Sequence, residues 1–195
     1  MKIGIDIDNT IINYTDSFSH EARKIVGLEN INGGSKSEIK LAVKNAVGES
    51  GWTELQGNVY AKAPLGLKIF KGVDQFLTNA VRLGSHIFYI SHKTKFPILG
   101  PRIELRAPIY DFMKKKQLLH PHIKGATIQF HDSQDEKIRA VKSLNLDFFI
   151  DDLVEIVDIL QNDCSPLHFM CTCNKKNHLG FKDWANIDQF INKQN

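Results

Sequence analysis

KIGIDIDNTII, residues 2–12, is the stretch that decides the fold. It begins as an unbroken apolar run, the pattern of a strand covered on both faces rather than of one with a wet side. Asp6 and Asp8 then stand two residues apart at the end of that run, followed by Asn9 and Thr10. Single acids on a solvated face are common. Acids closing a core strand are costly unless their charge is used.

Outward from this strand, four more short apolar runs, at residues 86–90, 127–130, 147–150 and 167–171, read as buried parallel strands. Amphipathic segments lie between them. Val73, Phe76, Leu77 and Ala80 share one helical face, as do Ile138, Val141 and Leu144, and then Leu153, Ile156, Val157 and Leu160. The SQDE stretch at residues 133–136 is a capping box that starts a helix at about Gln134. Strands alternating with helices imply right-handed crossovers, hence a doubly wound α/β sheet of five main strands.

One region departs from this rhythm. Residues 14–65 show helical periodicity without a convincing strand, and SKSE at residues 35–38, preceded by Gly33 and Gly34, is a second capping box. The helix it opens places Ile39, Val43, Ala46 and Val47 on one side. The expected organisation is an α/β core of residues 1–13 and 66–195, with a helical cap of residues 14–65 inserted after the first strand.

Composition narrows the function. A chain of 195 residues fills one core with room for a small subdomain. The net charge of +3 comes from dispersed basic residues, which suits small anionic ligands and does not call for nucleic acid. The one dense basic run, MKKKQ at residues 113–117, reads as a solvated helix end. No segment approaches the roughly 20 apolar residues of a membrane span, and the acids at Asp6 and Asp8 interrupt what would otherwise resemble a secretory leader. Three cysteines, an odd number and all late in the chain, argue against a disulfide framework and for a reducing cytoplasm.

Ligands of open parallel sheets bind beyond the carboxyl ends of the strands. The first strand delivers Asp6, Asp8, Asn9 and Thr10 there, and the second delivers Ser91, His92 and Lys93. The third leads through FHDSQDEK to Lys137, and the fourth, LDFFIDDL, ends in Asp151 and Asp152. Four carboxylates gathered at one edge repel one another strongly in a low dielectric. A divalent cation relieves this, and all-oxygen ligation suits Mg²⁺. A cation alone does not require Ser91 and Lys137. A phosphoryl group does, since its oxygens take a hydroxyl donor and a fixed ammonium.

These four motifs, in this order and each at a strand end, resemble those of the haloacid dehalogenase-like hydrolases, and more distantly the 5'(3')-deoxyribonucleotidase branch with its similar helical cap. The resemblance implies that Asp6 is the nucleophile that forms an aspartyl-phosphate. It makes Asp8 the acid that protonates the leaving oxygen and then the base that activates water. Mg²⁺ would be held by Asp6, the backbone carbonyl of Asp8, and Asp151 or Asp152. Ser91 would bind a phosphoryl oxygen, Lys137 would neutralise charge at Asp6, and Thr10 would tie the turn after the strand. Asn9, His92 and Lys93 are the further substrate-binding candidates.

The expected activity is Mg²⁺-dependent hydrolysis of a small phosphomonoester, a nucleotide or a sugar phosphate. A phospho-acceptor or binding module, and a protein phosphatase of the D-x-D-x-T type, are the alternatives. Asp8 argues against the former and the inserted cap against the latter. Lys93 is a rival to Lys137 for the phosphate. Lys93, Lys95, Arg102 and Arg106 form a basic loop able to meet an anion, or an ordinary solvated one. Tyr14, Trp52 and Tyr60 are stacking candidates whose more natural use is core packing. Cys164, His168, Cys171, Cys173 and His178 suggest zinc, but their spacing follows no standard zinc pattern.

Overall fold

A computed structural model describes residues 1–31, 36–62, 67–171 and 179–194. The chain divides into two compact units: Met1–Ile12, Ile69–Lys93 and Met113–Asn195 form the first, and Asn13–Lys68 with Thr94–Phe112 the second.

The first unit is built on a six-stranded sheet. Its strands are β1 (Lys2–Ile5), β4 (His86–His92), β5 (Thr127–His131), β6 (Phe148–Asp151), β7 (Ser165–Phe169) and β8 (Leu179–Phe181). They lie in the order β5-β4-β1-β6-β7-β8, and every pairing is parallel. The chain thus winds outward from β1 through β4 to β5, then crosses back to β6 and winds the other way. β1 sits at this reversal, where an open sheet has its crevice. A separate two-stranded sheet pairs β2 (Ile12–Asn13) with β3 (Lys68–Ile69).

Helices α3 (Val73–Arg82), α5 (Gln134–Ser143), α6 (Val154–Ile159) and α7 (Trp184–Asn192) belong to the same unit. On α3 the residues expected to face inward, Val73, Phe76, Leu77 and Ala80, are all buried. α5 begins where its capping box puts it. The Ser133 side chain accepts from the Glu136 backbone N–H at 3.2 Å, and Glu136 reaches back to accept from the Asp132 N–H at 2.9 Å. Ile138 and Val141 of α5, Ile156 of α6 and Leu160 just after it pack with Ile90, Leu146 and Phe149 in one core cluster. Each such side chain contributes about 1.5–3 kcal/mol by leaving water.

The second unit is helical, with α1 (Thr15–Ala22) and α2 (Lys36–Lys62); α4 (Arg106–Lys115) begins in it and ends in the first unit. α2 is broken at Gly48, whose φ of 77° and ψ of −174° no helix contains. Phe18 stacks on Trp52 with ring centroids 5.3 Å apart, while Tyr14 meets Tyr60 edge-on at 5.1 Å. Tyr14 and Trp52 are buried, so these rings are core side chains of their unit.

Several expectations need correcting. The sheet has six strands, the sixth being β8. β7 runs from Ser165 and stops at Phe169, because Met170 takes a left-handed φ of 57°. On α2 only Ile39 and Val43 of the expected face are buried. Val47 is 43% exposed, since the break at Gly48 ends that face one residue later. Leu153 is the extended residue before α6 and is 37% exposed, not part of its buried face. Cys171 is disulfide-bonded, where the odd number of cysteines argued against disulfides and for a reducing compartment, while Cys164 is free. Ser35, Cys173 and His178 lie outside the described residues. No described helix is long and apolar enough to cross a membrane.

Candidate active site

β1 ends at Ile5, yet the next backbone N–H, that of Asp6, still donates to the Ile150 carbonyl of β6 at 2.9 Å. Asp6 therefore stands at the carboxyl edge of the sheet, held by its neighbour's ladder. The chain then turns sharply. The N–H groups of Ile11 and Ile12 both donate to the Ile7 carbonyl, and Asn9 adopts a φ of 64°, a conformation asparagine tolerates better than most residues. The indole N–H of Trp184, from α7, donates to the Thr10 carbonyl at 2.9 Å and pins this turn from behind.

Asp6 is gripped on both oxygens. The Lys137 ammonium lies 2.5 Å from Oδ1, and the Thr10 hydroxyl donates to Oδ2 at 3.1 Å. The same ammonium donates to Asp151 Oδ2 at 2.7 Å, so one lysine from α5 bridges the acid just after β1 and the acid ending β6. Lys137 is only 2% exposed, and the capping box before it places it on the first turn of α5. Asp151 Oδ1 accepts from the Leu153 N–H at 2.9 Å, which ties the acid to the start of α6. The ring of His168, opposite Asp151 on β7, approaches the Asp152 carbonyl at 3.2 Å.

Charge is in excess here. The Asp6 carboxyl is pushed up to about 8: burial is the largest cause and Asp151, Asp152 and Asp8 add to it, against the downward pull of Lys137. For Lys137 burial works against the charged form, but Asp151 and Asp6 outweigh it and the ammonium is held above the ordinary lysine range. Carboxylate oxygens of Asp6, Asp151 and Asp152 all lie within 4.8 Å of one another. One lysine does not balance three acids. This all-oxygen set fits a hard divalent cation such as Mg²⁺. The Asp8 side chain is not in that set; its Oδ2 accepts from the Lys93 ammonium at 2.8 Å.

Two donors complete the picture. The Ser91 hydroxyl and the Asn9 side-chain amide are buried and have no hydrogen-bond partner among the described residues. Ser91 lies in β4, next to β1, rather than just after a strand end. Buried unpaired donors are rare and costly unless a ligand satisfies them. His92, the last residue of β4, is exposed. Burial and the Lys137 charge lower its pKa, against the opposing effects of the Asp132 backbone and Asp8.

The structure thus brings Asp6, Asp151, Asp152 and Lys137 into one cluster and pairs Asp8 with Lys93. It places Cys164 away from any metal-binding group among the described residues, with its thiol pushed up to about 11 by burial and then by Asp163. Of the basic loop, Lys95 and Arg102 lie over the Phe96 ring at 5.7 and 4.5 Å from its centroid. Trp184 and His168 had no signal as supports of this site: their partners are 174 and 16 residues away and no local pattern announces them.

The sequence matches no protein-family model and no curated protein. Solved structures match it along nearly the whole chain. A predicted phosphatase from Clostridium acetobutylicum aligns with a TM-score of 0.61 at 14% identity, covering 98% of both chains. A haloacid dehalogenase-like protein of unknown function from Agrobacterium tumefaciens gives 0.61 at 12% identity, covering 99% of this chain and 98% of that one. A HAD-superfamily hydrolase from Ehrlichia chaffeensis gives 0.59 at 17%, covering 98% and 96%. Likeness at such low identity speaks to architecture, and on that ground the chain has the fold of the haloacid dehalogenase-like hydrolases.

Proposed function

We propose that this protein is a Mg²⁺-dependent phosphomonoesterase of the haloacid dehalogenase-like superfamily, acting on a small phosphorylated metabolite through an aspartyl-phosphate. The observation that carries this reading is the buried Asp6, bridged by Lys137 to Asp151 at an edge where the Ser91 hydroxyl and the Asn9 amide lack partners. The similar hydrolases and the predicted phosphatase named above share the fold on which this site is built.

Asp6, the carbonyl of Asp8, and Asp151 or Asp152 would hold the cation. When bound it neutralises the crowded carboxylates and the phosphoryl oxygens. Lys137 and Thr10 orient the Asp6 carboxylate. A carboxylate oxygen of Asp6 bonds to phosphorus as the bond to the leaving oxygen breaks, and Asp8 gives that oxygen its proton. Asp8 then takes a proton from water, whose oxygen attacks phosphorus and frees Asp6 and inorganic phosphate. Ser91 and Asn9 donate to the phosphoryl oxygens throughout, with His92 at the rim. Positioning and charge account for most of phosphoryl transfer, so this set is sufficient. Residues 14–65 would serve as the cap that limits substrates to small molecules such as nucleotides or sugar phosphates.

The test is hydrolysis of p-nitrophenyl phosphate, with and without Mg²⁺, by wild type and Asp6→Asn. Mg²⁺-dependent turnover that falls more than about a thousandfold in the variant is expected for a lost nucleophile. Turnover that survives the substitution overturns the reading. A long-lived acyl-phosphate without turnover points instead to a phospho-acceptor.

A further inference from the structure

We infer that Lys93 is a positioning residue that fixes Asp8, so that only Oδ1 of that carboxyl is presented for proton transfer. The inference rests on the phosphatase reading above and assigns a task to a lysine which that reading leaves unused at the phosphate.

The geometry is asymmetric. Lys93 is 4% exposed, and its ammonium lies 2.8 Å from Asp8 Oδ2. Asp8 Oδ1 is also shut from solvent, yet it has no hydrogen-bond partner among the described residues. A carboxylate normally satisfies both oxygens when buried, and the exceptions gather where a substrate completes the set. The backbone on both sides is held. The Lys93 N–H donates to the His131 carbonyl at 3.0 Å, and the Asn9 N–H, next to Asp8, donates to the Ile12 carbonyl at 2.8 Å. With Oδ2 locked against an ammonium between two fixed backbones, the carboxyl has one orientation. Lys137 already serves Asp6 and Asp151, so Lys93 is not needed for charge at the nucleophile.

A misplaced proton donor matters in proportion to how badly the leaving group needs its proton. The experiment therefore compares kcat/KM for 2,4-dinitrophenyl, p-nitrophenyl and phenyl phosphate in wild type, Lys93→Met and Lys93→Arg, with inhibition by inorganic phosphate measured alongside. Dinitrophenolate departs without help; phenolate does not. Lys93→Met is expected to lose about a hundredfold on phenyl phosphate but less than about tenfold on the dinitrophenyl ester, the range of general acid catalysis. Phosphate inhibition is expected to stay within about threefold, and Lys93→Arg to recover part of the loss.

An equal loss on all three esters makes Lys93 a structural residue only and overturns the proposal. A marked weakening of phosphate inhibition makes it a phosphate ligand and overturns it too. If Lys93→Met does not fold, the leaving-group dependence of Lys93→Arg decides in the same way, because its longer, forked head shifts Asp8. Absence of turnover in wild type is a different result: it removes the phosphatase reading and this proposal with it.

Discussion

The two units spend their interiors differently. The buried polar and charged residues are Asp6, Asn9, Thr10, Ser19, Ser85, Ser91, Lys93, Lys137 and Asp151, and of these described residues only Ser19 belongs to the second unit. That unit fills its centre with Phe18, Trp52, Tyr14, Ile39 and Val43 and leaves ion pairs such as Lys68–Asp16 toward water. The first unit has an apolar core of the same kind, with charge buried at one sheet edge. Burying a carboxylate or an ammonium is unfavourable by several kcal/mol even when it is paired. A sequence built for stability alone would not assemble three acids around one lysine. The contrast separates an interior that holds the chain together from one that prepares chemistry.

The largest effect should come from breaking the buried charge. Lys137→Met leaves Asp6 and Asp151 facing one another without a cation. In chelator, urea denaturation should show a loss of roughly 3–5 kcal/mol, the usual consequence of stranding buried charge. A loss below about 1 kcal/mol would mean that the edge is wetter than its burial suggests, and the contrast between the units would weaken.

A smaller effect tests the second unit on its own terms, where packing rather than charge decides. At Gly57, on α2, an added Cβ would clash with the backbone carbonyl oxygen of Leu99. A backbone atom cannot swing aside as a side-chain tip can. Gly57→Ala should therefore cost about 1–3 kcal/mol, the range for overpacking, although alanine favours a helix over glycine by about 1 kcal/mol. A thermal melt of the variant at unchanged or higher midpoint would show that residues 97–100 are free to move away.

How much of this was legible follows from the reach of each signal. β1 and the acids at its end are readable because the apolar run and its abrupt polar close lie within eleven residues. The start of α5, and with it the position of Lys137, is readable because Ser133 and Glu136 form one local device. β8 is not, since three residues carry no period. Nor was the broken face of α2. Helical spacing through residues 39–47 continues on paper, but Gly48 ends the segment and leaves Val47 in solvent. At the candidate site the acids announce themselves in pairs, whereas which lysine meets which acid does not. Lys137 reaches Asp6 across 131 residues and Lys93 reaches Asp8 across 85, and only the strand order β5-β4-β1-β6 brings those segments side by side.

The smallest effect closes the comparison, because it uses the same two side-chain types in the opposite setting. Lys68 and Asp16 in the second unit are 3.0 Å apart, close to the 2.7 Å of Lys137 and Asp151, but their side chains are 72% and 83% exposed. Water at such a site already solvates both ions, and salt screens what attraction remains. A double-mutant cycle with Lys68→Met and Asp16→Asn should therefore give a coupling below about 0.5 kcal/mol, and less again at about 1 M salt. If the exposed pair instead couples by more than about 2 kcal/mol, separation rather than burial governs these lysines. The edge holding Lys137 would then be no special place in this molecule.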